Sequence, residues 1–155
     1  TELGASSFIP FQASRSVVKL DEKKAKKKRE RWAKIAKEAA EQSHRNAIPD
    51  VAPVHTFQRL LESLEDFDKC VVAYEESSKQ GETSRFQSVL KSLSEGSSVL
   101  MVFGPEGGFT EEEIEALKEK GAFACGLGPR ILRAETAPLY ALAAVSYHTE
   151  LLRGE

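Results

Sequence analysis

The stretch SVLMVFGPEGGFTEEEIEALKEKG (98–121) carries the decision about the fold. Its first six residues are almost continuously apolar, as expected of a strand buried on both faces rather than one. The run then breaks at GPEGGF (104–109). Thr110 followed by Glu113 has the spacing of a capping box, and it opens a helix whose apolar face carries Ile114 and Leu117 and which Gly121 can end. The segment therefore reads as strand, tight loop and helix. In open α/β sheets ligands bind at the carboxyl ends of strands, which is where such a loop sits. Glycines let backbone N–H groups come close to a ligand, and Pro105 stiffens the entry. A plain turn into a capped helix is the alternative reading of the same residues. Glu106 would repel phosphate, and the chain contains neither a GxxxxGK[ST] nor a GxGxxG spacing. The loop suits a ligand with positive or neutral hydrogen-bonding groups better than a nucleoside triphosphate.

Other apolar runs of strand length are SFIPF (7–11), CVVAYE (70–75) and AFACGLG (122–128). Helical periodicity lies between them: Trp32, Ile35, Ala36, Ala39 and Ala40; FQRLLESLEDF (57–67); Phe86, Val89, Leu90 and Leu93; and Leu139, Leu142, Ala143 and Ser146. Alternating strands and helices predict an α/β fold, a parallel sheet with helices on both faces. EESSKQGETS (75–84) reads as a polar surface loop. A second interruption, CGLGPRILRAETAPLYAL (125–142), follows a strand, carries Arg130 and Arg133, and enters the last helix through Thr136 as N-cap with Pro138 in the first turn. Arg130, Arg133 and Glu135 can simply pair on the surface. Two Gly-Pro loops after neighbouring strands point instead to one shared pocket.

At 155 residues, with 41% hydrophobic and 30% charged side chains, the chain has the composition of one soluble domain with a real core. No apolar run approaches a membrane span and the first residues do not read as a signal peptide, so a cytoplasmic setting is expected. The chain begins without Met and in mid-pattern, as a piece of a longer protein would. Cys70 and Cys125 sit in apolar contexts without metal-ligand spacing and read as buried reduced thiols; no metal is expected. The net charge of −2 conceals an asymmetry, with 13 Lys/Arg against 7 Asp/Glu in residues 1–60 and 9 against 17 in residues 61–155. The run KLDEKKAKKKRERWAKIAK (19–37) is either a solvated helix face or the footprint of a polyanion. Glu38, Gln42 and Arg45 recur at helical spacing opposite the stripe led by Trp32.

GPEGGFTEEE and LGPRILRAETAPLYAL together are specific. With TELG (1–4), RSVV (15–18) and RWAKIAKEAAEQSHRNAIPDV (31–51), they make the chain resemble, over essentially its whole length, the bacterial small-subunit (16S) ribosomal RNA uridine-N3 methyltransferases. These belong to the trefoil-knotted (SPOUT) RNA methyltransferases that use S-adenosylmethionine. The resemblance implies one SPOUT domain over residues 1–155, with a deep C-terminal knot that breaks the usual rule against threading. It also implies that the family's N-terminal RNA-binding barrel, and the first strand of its catalytic domain, lie outside this chain. S-adenosylmethionine would lie in a pocket formed by the loops after 71–75, 99–103 and 122–127. Gly104, Glu106, Gly107 and Gly108 would line its ribose and methionine side, and Leu127, Gly128, Ile131 and Leu132 its adenine.

Arginine is a poor base. Arg45 and Arg133 are therefore assigned to stabilising negative charge on the uracil or holding phosphate, and Glu135 to the role of base. Lys23, Lys24, Lys27, Arg31, Gln42 and Arg45 are assigned to RNA. The partners implied are 16S rRNA in the assembled small subunit and a second copy of the chain through the last helix, with no membrane. Two other functions compete: methylation of a ribose 2′-hydroxyl or another base by the same kind of fold, and a non-catalytic RNA-binding or assembly module.

Overall fold

The structure, a computed structural model, describes residues 1–17, 20–79 and 84–152. Val18 and Lys19, from the RSVV motif and the basic run, and residues 80–83 of the polar loop lie outside the described residues. The central sheet is parallel and is ordered β6–β5–β7, where β5 is Lys69–Ala73, β6 is Val99–Val102 and β7 is Phe123–Cys125. The three strands coincide with three of the apolar runs. Two short parallel ladders precede them. β1 (Ser7–Phe8) pairs with β3 (Asp50–Val51), and β2 (Phe11–Gln12) pairs with β4 (His55–Thr56).

Alternation along β5 divides the core in two. Cys70 and Val72 pack among Leu60, Leu61 and Leu64, together with Ile114 and Leu117. The first group comes from α2 (Phe57–Ser63) and the 3-10 turn after it, the second from α5 (Glu111–Glu119). Val71 points to the other face, where it meets Phe86, Val89 and Leu90 of α4 (Arg85–Lys91) and Ala141 of α6 (Thr136–Ser146). Helices thus cover both sheet faces, as the uninterrupted apolarity of CVVA requires. Both cysteines are free and buried. Among the described residues, no helix is long and apolar enough to cross a membrane.

Three local expectations are corrected. Part of the polar loop after β5 is helical, as α3 (Glu75–Lys79). Helix α6 starts at Thr136 with Glu135 in the N-cap position, and no side chain caps it. Its buried face carries Ala137, Ala141, Ala144 and Val145, while Leu139 is 58% exposed. A helix apolar on all sides gives the right period but no preferred face.

Helix α1 (Glu22–Gln42) is capped by Asp21, whose carboxylate accepts from the Lys24 amide at 2.8 Å. It buries Ala36 and Ala40 and leaves Ile35 half exposed, so its apolar stripe is narrower than the sequence suggests. It ends in a Schellman turn. His44 adopts φ 55°, and the amides of His44 and Arg45 return to the carbonyls of Glu41 and Ala40 at 3.3 and 2.9 Å. Arg45 therefore lies beyond the helix, and the spacing shared with Glu38 and Gln42 does not place it on their face.

At the start of the central sheet, the Asp68 carboxylate accepts from the amide and hydroxyl of Ser98 at 2.8 and 2.9 Å. These bonds hold its carboxyl below the usual carboxylate range, the amide contributing most. A depressed folded-state value adds stability that is present above the unfolded value and lost as pH falls through the folded one. Asp68→Asn is accordingly expected to show a weaker loss of stability than the parent as pH falls below about 4, measured as urea midpoints against pH.

Candidate active site

The loops that leave the carboxyl ends of β5, β6 and β7 surround one cleft of about 890 Å³. Tyr74, Glu75 and Glu76 come from the first, residues 103–109 from the second, and Leu127 with residues 130–135 from the third. All the residues assigned to the cofactor line this cleft, save Gly128. Gly128 is the immediate neighbour of Leu127 and adopts φ 93°, and a Cβ there would come within 3.5 Å of the Tyr140 hydroxyl. Leu127 is buried, whereas Ile131 is 63% exposed.

The capping box expected at the start of α5 is present: Thr110 Oγ1 accepts from the Glu113 amide at 3.2 Å, and Glu113 Oε2 accepts from the Thr110 amide at 2.9 Å. Its position aims the preceding loop into the cleft. Inside that loop the Gly108 amide donates to Pro105 O at 2.8 Å, closing a turn that puts Glu106 and Gly107 at its tip. Each glycine answers a different constraint. A Cβ on Gly104 would lie 3.1 Å from the Phe109 ring, one on Gly107 would lie 3.1 Å from Arg15 Cβ and 3.3 Å from Arg15 O, and Gly108 adopts φ 68° with open space beyond it. At Gly104 and Gly107, then, the chain's own atoms make the close approach.

Arg15 lines the cleft, and the sequence assigned it no role. Its Nη1 donates to Gly107 O at 3.2 Å and to Phe109 O at 3.3 Å. The neighbouring Ser14 amide donates to Glu113 Oε1 at 2.8 Å, so this carboxylate, only 4% exposed, serves both the cap and the N-terminal segment. The Phe11 and Phe109 rings stack 6.2 Å apart with 8° between their planes. The one sequence signal was the RSVV motif, whose contacts lie too far along the chain for spacing to show.

The assigned catalytic residues separate. Arg133 and Glu135 both line the cleft and approach each other at 4.0 Å, with side chains 86% and 71% exposed. Arg45 does not line it. Its Nη1 donates to Thr1 O and Ala5 O, both at 2.8 Å, which ties the first residues to the end of α1. The left-handed turn at His44 directs Arg45 to the N-terminal segment.

On α1, Lys23, Lys27 and Arg31 are exposed opposite the buried Ala36 and Ala40. Lys24 pairs with Asp21 at 3.2 Å, Gln42 is exposed in the last turn, and Arg29 turns inward to Val51 O at 2.6 Å.

The cleft can accommodate a nucleoside that carries a positive charge. Glu106 offers a carboxylate at the loop tip, and among the described residues no intrachain hydrogen bond takes up the amides of Gly107, Phe109, Gly128, Ile131 or Leu132. Acceptors for ribose hydroxyls and donors for a purine edge are thus both present.

Residues 1–146 match the family model for an RNA methyltransferase domain. The ribosomal RNA small subunit methyltransferase E of Bacillus subtilis is 72% identical over 155 residues, covering 100% of this chain and 60% of the relative. The protein of the same name from Mycobacterium tuberculosis is 36% identical, covering 96% of this chain and 56% of its own. The crystal structure of a ribosomal RNA small subunit methyltransferase E from Neisseria gonorrhoeae, bound to S-adenosyl methionine, is 34% identical with a TM-score of 0.74; the match covers 94% of this chain and 56% of that one. This chain therefore spans a little more than half the length of these relatives. The family model runs through both Gly-Pro loops and the strands that carry them, so the chain belongs to the RNA methyltransferase domain family.

Proposed function

We propose that this chain carries the methyl-transfer site of a cytoplasmic, S-adenosylmethionine-dependent methyltransferase that modifies N3 of one uridine in 16S rRNA of the small ribosomal subunit. The observation that carries the reading is the cleft at the carboxyl ends of the three parallel strands, with its carboxylate-tipped glycine loop. Its support is the likeness to relatives named for small-subunit rRNA methylation, one of them solved with S-adenosyl methionine. The finer fold we propose is one SPOUT domain in which the segment after β7 is threaded as a trefoil knot.

S-adenosylmethionine supplies an electrophilic methyl group on a cationic sulfur. Glu106 would accept from its ribose hydroxyls and favour the positive charge, while the free amides of Gly128, Ile131 and Leu132 would meet the adenine. The reaction requires loss of the uridine imide proton and alignment of N3 with the methyl, so positioning accounts for most of the catalysis. Arg133, exposed at the mouth of the cleft, stabilises the developing uracil anion. Glu135 beside it takes the proton. Glu135→Gln is expected to lower the single-turnover rate at least tenfold, in line with general-base contributions of about 10²–10⁴. An unchanged rate would remove Glu135 from that role.

The basic face of α1 anchors RNA phosphates without reading sequence. Replacing Lys23, Lys27 and Arg31 together by alanine is expected to reduce the slope of log K against log salt by about 3, about one for each phosphate left without its cation. A filter-binding titration over a salt series checks this. The target base has to be unstacked for chemistry at its Watson–Crick edge. The exposed Leu139, on the far side of the helix from the buried Ala141, and the partly exposed Tyr140 support a homodimer through α6. Sedimentation at micromolar concentration tests that dimer.

The direct test of the function is nucleoside analysis after incubating the chain with S-adenosylmethionine and small subunits that lack the modification. The expected product is 3-methyluridine. A 2′-O-methylated nucleoside or another methylated base in its place would overturn the assignment.

A further inference from the structure

Each peptide unit of the 104–109 loop presents a carbonyl on one side and an amide on the other, so fixing both ends fixes the plane. The unit joining Gly107 to Gly108 is held through Gly108 N–H to Pro105 O and through Gly107 O to Arg15. The unit joining Phe109 to Thr110 is held through Thr110 N–H to Glu113 and through Phe109 O to Arg15. One nitrogen, Arg15 Nη1, thus supplies the second anchor of both. The peptide units between and before them leave the Phe109 and Gly107 amides without an intrachain partner among the described residues.

From this pattern we propose that Arg15 is a positioning residue: it locks two peptide planes of the glycine loop so that the amides of Gly107 and Phe109 stay directed at the bound ligand. The inference rests on the reading of the cleft as an S-adenosylmethionine site. Two further contacts deliver Arg15 to its place. The stack of Phe11 on Phe109 sets the distance between the segments, and the bond from Ser14 N–H to the buried Glu113 sets their register. The Arg15 backbone lies against Gly107, where a Cβ would fall 3.3 Å from Arg15 O, so the guanidinium spans only the width of the loop.

The test compares the parent chain with Arg15→Ala and Arg15→Lys. Calorimetric titration with S-adenosylmethionine well below the melting temperatures is expected to show affinity about tenfold weaker for Ala, with partial recovery for Lys, which keeps charged donors but not the planar fork. Hydrogen exchange read by NMR is expected to speed up at the amides of Gly108 and Thr110 in Arg15→Ala, while β5 stays protected. A role confined to overall stability would lower the melting temperature and leave both readouts unchanged, and that result overturns the proposal. If the parent chain itself binds no S-adenosylmethionine, the cofactor reading fails. The exchange arm then decides the positioning role by itself: faster exchange at Gly108 and Thr110 supports it, and unchanged exchange overturns it.

Discussion

Gly107→Val is expected to weaken S-adenosylmethionine binding by about 5- to 150-fold, because overpacking costs about 1–3 kcal/mol and each 1.4 kcal/mol is about tenfold in affinity. The first atom added would already lie 3.1 Å from Arg15 Cβ and 3.3 Å from Arg15 O, and valine adds two methyl groups beyond it. Either the loop tip or the 11–17 segment has to move, and both border the cleft. Gly107 does not require positive φ, so the effect comes from the contact and not from the backbone. Gly108→Ala is the matching control. It adopts φ 68° with nothing within 4 Å of a new Cβ, so the expected cost is backbone strain of about 1 kcal/mol. Calorimetric titration of both variants separates crowding from strain. A Gly107→Val protein that binds like the parent would mean that the loop tip does not shape the site.

The second large effect is on stability. Glu113 is 4% exposed, and its two oxygens accept from the amides of Ser14 and Thr110. Glu113→Ala leaves both donors without a partner and opens space beside Ile114, also in the core. A buried group left unsatisfied costs about 1–3 kcal/mol; both hydrogen bonds here are only partly buried and water can enter the gap, so the expected loss is about 1–3 kcal/mol in all. Glu113→Gln keeps one acceptor but presents an amide group to the other donor, so it is expected to fall between the two. Urea unfolding followed by circular dichroism gives the ranking. Equal stability of all three proteins would show that the clip between the N-terminal segment and α5 contributes nothing.

How much of this was legible depends on the range of each interaction. The strand, loop and helix at 98–121 were readable because a capping box, an apolar run and a terminal glycine are local signals, and the structure has all of them in place. The two-residue strands β3 and β4 were not read, since two residues cannot display a period. Arg45 was misplaced because helical spacing was carried past a left-handed residue that is not glycine. The buried side of α6 was chosen wrongly because its apolar residues surround the axis. Arg15 escaped notice for a different reason: its hydrogen bonds reach 92 and 94 positions along the chain, and only the folded N-terminal segment brings them together.

The measurement that tests the central claim most directly is an amide chemical-shift titration of the chain with S-adenosylmethionine. The account predicts saturable shifts at residues 73–76, 103–109 and 127–133, the three loops around the cleft. Saturable shifts elsewhere, such as around Arg85 and Lys118 at the neighbouring hollow, or no shifts at saturating ligand, would contradict it.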